Sequence, residues 1–428
     1  MNELLDRAVF FIIISLLISS FIKKHNALLC LFLIGFTQIG SIYPSTGQLR
    51  IEYLVGALSI FFVLLSPNSI GRIFSLENQT SKYFLLFVIV TLCSIPFAVS
   101  PSDAAQWFVY YFKRCFIYYF LIVALLDSTK KIKSFVLIYI VAVFWLETHA
   151  VINFITHRQT VIVNGVERVL GSTGILSNPN GLANTIVQTL PFLFYFAKTE
   201  DRQWKKYILI SIGILGVVAV IMTGSRGGFI GLVATSIFIT AFSKNKKIGI
   251  GIFLASFIVL LMLIGPSLLE RYISILKPGE YDITGTSRTW GLIHGISMFI
   301  KRPILGVGIG CYPIARAEWF DYKLWAHNTF GQLIGELGIL GTFTWSFLVY
   351  HTVKGARKIR NFIKKRLMNE QTFLYYLMLA IELSIYTRLI LGMTTHSLHI
   401  FFWYVNAALV IAVGYIVYND HLSLQEGN

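Results

Sequence analysis

Charge is what this sequence lacks most. Only 13% of its 428 residues are Asp, Glu, Lys or Arg, where a soluble globular protein carries about 25%. That excludes an ordinary soluble domain. Acidic residues are scarcer than basic ones, 20 against 36, giving a net charge of +16. In a soluble chain such an excess would point to nucleic acid. Here the bases fall mostly in short loops between apolar runs, which is a topology signature of membrane proteins, and no nucleic-acid partner is expected. Cysteine is also scarce. Cys30, Cys93 and Cys115 sit in apolar runs and Cys311 stands alone, so no disulfide framework is expected. His294, His396 and His399 lack an acidic or thiol partner at ligand spacing, and no Asp-rich loop or ATP-type phosphate loop is present. The sequence therefore predicts no metal and no cofactor. No cleavable signal peptide is evident, because the apolar run Ala8 to Ile22 leads directly into further apolar runs.

What the chain has is bilayer-length apolar sequence, 56% hydrophobic in all. A bilayer core needs about 20 apolar residues per helix. Backbone groups in lipid must be satisfied internally, and runs that are helix-length and not alternating satisfy them as helices. The fold class is thus an all-α polytopic membrane protein, one membrane domain over residues 1–428. About thirteen spans are expected, near 8–22, 26–42, 49–65, 83–99, 107–126, 132–156, 180–197, 207–223, 227–242, 248–265, 328–352, 372–392 and 398–418. A twelve-span count that merges or demotes one of the first two stays open. The segment Lys354 to Arg366 holds seven Lys or Arg and is placed in the cytoplasm. Alternation then puts the C-terminus in the cytoplasm and the long loop 266–327 outside, together with loop 157–179 and Arg226.

Three polar knots on the outer side carry the candidate chemistry. The first is Gly224-Ser225-Arg226-Gly227-Gly228. Arg226 offers a planar fork suited to phosphate oxygens, against the plainer alternative of an interfacial arginine reaching for water; the flanking glycines favour the site. The second opens at Ser287-Arg288. Residues 287–300 read as an amphipathic helix with Ser287 as N-cap, Trp290, Ile293, Ile296 and Ile300 on one face, and Arg288, Gly291 and Gly295 on another. Pro303 ends it, and Gly306-x-Gly308-x-Gly310 reads as a tight turn. The third is His327, where the chain re-enters the membrane. Asn328, Gln332 and Glu336 follow at helical spacing as a polar stripe. A histidine can take a proton near neutral pH, although a lone one more often merely packs. Gly331-x-x-x-Gly335 reads as a close-packing face. Lys113, Arg114 and Arg388 lie inside spans and are candidates by that fact. Glu147, His149 and Glu382 are weaker ones, expected at most to pair with those cations. Two arginines at one membrane face suit a diphosphate better than either alone.

These residues resemble a known family. Gly224 to Gly228 opening a span, Ser287-Arg288 with Trp290-Gly291 and then Arg302-Pro303-Ile304-Leu305-Gly306, and His327-Asn328 followed by Glu336-Leu337-Gly338 are similar to motifs of the O-antigen ligase and O-antigen polymerase superfamily. Ser177-Asn178-Pro179-Asn180-Gly181 is similar to it as well. The motif-bearing region is 170–345. The family's usual count is twelve spans, so a thirteenth near the N-terminus is a departure. The resemblance implies a membrane glycosyltransferase of the bacterial inner membrane with its site facing the periplasm. Its donor would be a glycan on undecaprenyl diphosphate. Its acceptor would be a lipid A core sugar in a ligase, or a lipid-linked glycan in a polymerase. Arg226 and Arg288 would bind the diphosphate and His327 would activate the acceptor hydroxyl, without metal or ATP and with inversion. Arg388, Asn328 and Glu336 are the further substrate-binding candidates. A transporter of lipid-linked sugars is the alternative from another class. It predicts a midplane site and repeated halves, and no internal repeat is evident.

Overall fold

The computed structural model describes residues 2–39, 50–163, 165–171, 177–243, 251, 254, 266–273, 275, 283–368 and 370–426. Helices dominate. The chain begins with α1 (Asn2–Ser19), α2 (His25–Thr37), α3 (Ile51–Leu64) and the short α4 (Pro67–Ile73). Next come α5 (Gln79–Cys93) and α6 (Pro101–Tyr111), which passes through a π-helical turn at Phe112–Phe116 into α7 (Ile117–Leu125). After α8 (Thr129–Ile155) a hairpin of β1 (Thr160–Val163) and β2 (Val166–Val169) precedes α9 (Pro179–Val187) and α10 (Leu190–Thr199). α11 (Gln203–Met222) and α12 (Arg226–Phe242) are followed by α13 (Pro266–Ile273), α14 (Ile283–Lys301) and α15 (Tyr312–Phe320). The chain closes with α16 (Thr329–Arg366), α17 (Thr372–Gly392) and α18 (Phe402–Glu426).

The protein is an all-α polytopic membrane protein. Among the described residues six helices are long and apolar enough to cross a membrane, and shorter apolar helices lie at Val9–Ser19, His25–Thr37, Ile51–Leu64, Gln79–Cys93 and Arg226–Phe242. The expected span 180–197 is instead two helices, because Pro191 stands at the start of α10 and its missing N–H cannot continue α9. The expected span 248–265, like Lys244, Lys246 and Lys247, lies outside the described residues except for Gly251 and Leu254. The hairpin in loop 157–179 was not anticipated. Its antiparallel register pairs Thr160 with Val169, and Gly165 turns with φ +73°.

Four polar residues fix where helices start. Asn78, Asn178, Ser225 and Asn328 each accept a hydrogen bond from a backbone N–H of the first helical turn, satisfying a donor that otherwise has no partner. Ser287 is not such a cap: α14 begins four residues earlier, at Ile283. The rest of the amphipathic reading holds. Trp290 is 50% exposed and Ile300 72% exposed. On the opposite face, Gly291 and Gly295 stand against Gly331 and Gly335 of α16 so closely that a methyl on either would overlap the Ala326 or Gly331 backbone. This is how small residues let membrane helices touch.

α16 is broken at Gly338 (φ 58°, ψ −154°). The break frees carbonyls that the loop after α14 takes up. Val307 N–H donates to Gly335 O at 2.9 Å and Gly308 N–H to Glu336 O at 2.9 Å. Ile339 N–H in turn donates to Pro303 O at 2.8 Å. Gly306, Gly308 and Gly310 all have positive φ, at 68°, 100° and 72°, so the expected tight turn is a left-handed series seated in the helix break. Non-helical backbone inside a membrane protein is tolerated where protein satisfies it in this way.

Candidate functional site

The three polar knots meet at one end of the bundle. Thr223 and Gly224 link α11 to α12, and Gly224 has φ +56°, a conformation glycine adopts at little cost. Two arginines grip this link from outside. Arg168 of β2, which is buried, donates from Nε to Thr223 O at 2.8 Å and from Nη2 to Asn180 Oδ1 at 2.9 Å. Arg271 of α13 donates from Nε to Gly224 O at 2.7 Å. Ser225 Oγ donates to the same Asn180 Oδ1 at 2.8 Å. The hairpin, α9 and α13 therefore all fix the backbone that presents Arg226.

The glycines after Arg226 have another role than the sequence suggested. A Cβ on Gly227 would meet Thr394 Oγ1 at 2.6 Å, and one on Gly228 would meet Ala183 at 2.6 Å. They let α12 pack against the end of α17 and against α9. They are explained by packing and add nothing to the case for Arg226 as a ligand residue.

Electrostatics connects the knots. Arg168 has its pKa lowered to about 10, by burial first and then by the charge of Arg271, with smaller effects from Arg226 and Arg288. His327 is held below the usual histidine value by burial, then by Arg288 and Arg316. Arg288 thus acts on the arginine group on one side and on the imidazole on the other. Several like charges gathered in one place favour an anion.

His327 itself adopts φ 47°, uncommon for a residue with a side chain and frequent at functional turns. Asn328, next to it, caps α16 by accepting from Phe330 N–H at 2.9 Å and Gly331 N–H at 3.0 Å, and its Nδ2 donates to Met393 O at 3.3 Å. Thr329 Oγ1 donates to Thr395 O at 2.7 Å. These bonds fix the start of α16 to the segment between α17 and α18, which carries His396 and His399. The His327 and His396 ring centroids are 5.2 Å apart, and His396 lies the same distance from His399. Trp325 stacks on His396 at 5.1 Å, interplanar angle 7°. Burial pushes the His396 imidazole well down, helped by His399, His327 and Arg388. His399 is lowered to about 4 by burial and Arg388.

Arg388, near the end of α17, is buried, and its Nε, Nη1 and Nη2 have no hydrogen-bond partner among the described residues. Glu382 does not pair with it. Its carboxylate faces α16 instead, with Oε2 2.9 Å from Arg360 Nη1. Arg114, in the π-helical turn, pairs with Glu52 at 3.2 Å, and Lys113 lies over the Tyr53 ring at 5.4 Å. Glu382 thus pairs with α16 and Arg114 with α3, while His149 contacts Asn153 of its own helix at 3.0 Å and the Glu147 carboxylate has no hydrogen-bond partner among the described residues.

Glu336 is buried. Gln332 Nε2 donates to its Oε1 at 3.3 Å, and the backbone N–H groups of Gly310 and Tyr312 also bear on it. Gln332 Oε1 accepts from Leu398 N–H at 3.3 Å. The polar stripe thus joins the glycine loop, α16 and the histidine segment. Arg316 of α15 is another residue that spacing did not single out. It is buried, donating from Nε to His294 Nδ1 at 3.0 Å and from Nη1 to Trp325 O at 3.1 Å. His294 therefore accepts and is neutral, in accord with its lowered pKa. Among the described residues no group of three or more His, Cys, Asp or Glu has the arrangement of a metal site.

Residues 211–346 match the family model described as O-antigen ligase. Over that segment the chain is similar to the O-antigen ligase superfamily. It spans Arg226, Arg288 and His327, and stops before Arg388, His396 and His399. No match to the chain is found among curated proteins. This similarity supports a ligase- or polymerase-type activity in general terms and a bacterial membrane setting.

Proposed function

We propose that this protein transfers a glycan from undecaprenyl diphosphate to a sugar hydroxyl at the periplasmic face of the inner membrane. The observation that supports it is the position of Arg288, whose charge bears both on the arginine group around Arg226 and on His327. In this reading the guanidiniums of Arg226 and Arg288 hold the diphosphate. Arg168 and Arg271, spent on the Thr223–Gly224 backbone, position them and add to the local field. His327 takes the proton of the acceptor hydroxyl. The hydroxyl oxygen forms a bond to the anomeric carbon as the bond from that carbon to the diphosphate oxygen breaks. The departing charge stays on the diphosphate beside the guanidiniums. Preorganised cations of this kind supply the main stabilisation in such transfers, and a single displacement inverts the anomeric centre.

Asn328 and Glu336 act here by positioning, since their polar atoms are engaged by the protein. Arg388 is a third cationic contact for substrate, on the side of the histidine cluster. The acceptor is a lipid A core sugar in the ligase reading and a lipid-linked glycan in the polymerase reading. Purified protein supplied with lipid-diphosphate-linked glycan and an acceptor, without ATP, is expected to form the joined product. Movement of donor across the membrane with no glycan transfer would overturn the proposal in favour of a transporter. In cells, loss of long chains from the lipid anchor with lipid-linked polymer accumulating supports a ligase. Single capped repeats support a polymerase.

A further inference from the structure

At the opposite end of the bundle, far along α16 from His327, a second cleft opens between α4, α5, α16 and α18. Its volume is about 840 Å³, against about 40 Å³ for the cavity beside His399 and Arg114. His351, Lys354 and Lys358 line it from successive turns of α16, with Arg72 of α4 and Tyr415 and Tyr418 of α18. Glycines shape the packing under it. A Cβ on Gly355 would stand 3.0 Å from Val410 Cγ1, and one on Gly414 would stand 3.2 Å from Ile359 Cδ1.

Three cations line this cleft against one exposed carboxylate, Glu77. Lys354 and Lys358 are exposed, and among the described residues neither makes an ion pair with a carboxylate. Each ammonium lies over a tyrosine ring, Lys354 at 5.6 Å from Tyr350 and Lys358 at 5.9 Å from Tyr418. The Arg72 guanidinium lies 4.7 Å over the Tyr415 ring, and its Nη2 donates to Ala124 O at 3.2 Å. The N-terminus of α5 borders the cleft at Gln79 and Thr80, adding the positive end of a helix dipole. The floor is apolar, made by Val123, Ile359, Val410 and Ile411. Both α16 and α18 have the length and hydropathy of membrane spans.

We propose that this cleft binds the phosphate headgroup of an anionic membrane phospholipid. Lys354, Lys358 and Arg72 are the cation partners, and the apolar floor receives the first part of an acyl chain. A soluble anion would use the charges but not the floor. Tyrosines at such a rim suit the boundary between headgroup and hydrocarbon, and basic pockets between membrane helices recognise anionic headgroups. The proposal is independent of the glycan-transfer reading, because none of these residues belongs to the arginine–histidine site.

The test uses the full chain, purified in detergent, stripped of lipid and titrated with short-chain phosphatidylglycerol, phosphatidylcholine or inorganic phosphate under native mass spectrometry. Saturable binding of phosphatidylglycerol is expected, with phosphatidylcholine at least tenfold weaker. The Lys354→Gln/Lys358→Gln variant should bind phosphatidylglycerol about tenfold more weakly. A control on the same helix but outside the cleft, Lys364→Gln/Lys365→Gln, should bind as the parent does. If the double variant elutes as aggregate, the single variants Lys354→Gln and Lys358→Gln read the same loss in smaller steps. Equal binding of the two lipids, unchanged binding by the cleft variants, or equal loss in the control would overturn the proposal. Displacement of the lipid by inorganic phosphate at equal concentration would assign the cleft to a soluble anion instead.

Discussion

His327 and His396 face each other nearly edge to face, 5.2 Å between ring centroids with an interplanar angle of 66°. One precedes α16 and the other follows α17, and the bonds from Asn328 and Thr329 to Met393 and Thr395 hold them there. Burial and neighbouring cations keep both imidazoles from protonating readily. A neutral imidazole is the form that can accept a proton.

The rate of transfer should therefore survive mild acid. His327 sits below the usual histidine value because of burial first and Arg288 and Arg316 next, so the acid limb of kcat/KM falls below about pH 6.5. Removing a neighbouring cation raises the pKa of a base. Arg316→Gln should move that limb to higher pH, and Arg316→Lys should restore it in part. A limb that stays in place or moves to lower pH would remove His327 from the role of base.

Arg226→Ala and Arg288→Ala are each expected to lower transfer by about 10²- to 10³-fold while the protein still inserts and elutes normally. Lysine at either position should recover little, because a point charge does not reproduce the two-pronged contact of a guanidinium. Full activity in either alanine variant would take that arginine out of the reaction.

Arg388→Met separates stability from function. A buried guanidinium without hydrogen-bond partners among the described residues costs folding energy, and an apolar replacement of similar size often recovers it. We expect a higher melting temperature together with at least tenfold slower transfer. Unchanged transfer would show that this charge does not contact substrate.

Gly291→Ala should damage the fold rather than the chemistry alone. Its methyl would overlap the Ala326 carbonyl, next to His327, and overpacking of this kind costs about 1–3 kcal/mol. Gly213→Ala is the matched control, since nothing lies within 4 Å of a Cβ there. Thermal unfolding of the two variants should differ clearly, with Gly213→Ala at or above the parent.

Much of this was legible before any coordinates. Apolar runs of helical length dictate membrane helices because lipid leaves the backbone no other partner. The polar knots stood out against that background, and the glycines at 331 and 335 read correctly as a packing face. The amphipathic helix carrying Arg288 could be read from its period, though not its first turn. The same glycine logic failed beside Arg226, where sequence cannot distinguish a glycine cleared for a ligand from one cleared for Thr394 or Ala183.

Period and composition act along the chain, so the residues alone determined where most of the helices lie and where polar groups interrupt them, though not the break at Pro191 or the β-hairpin. Which faces meet is a matter of distant packing. Only the assembled bundle turned Arg168 and Arg271 onto the Thr223–Gly224 backbone, opened α16 at Gly338 for the glycine loop, and set His396 beside His327. Those contacts join residues widely separated in the chain, and no local pattern encodes them.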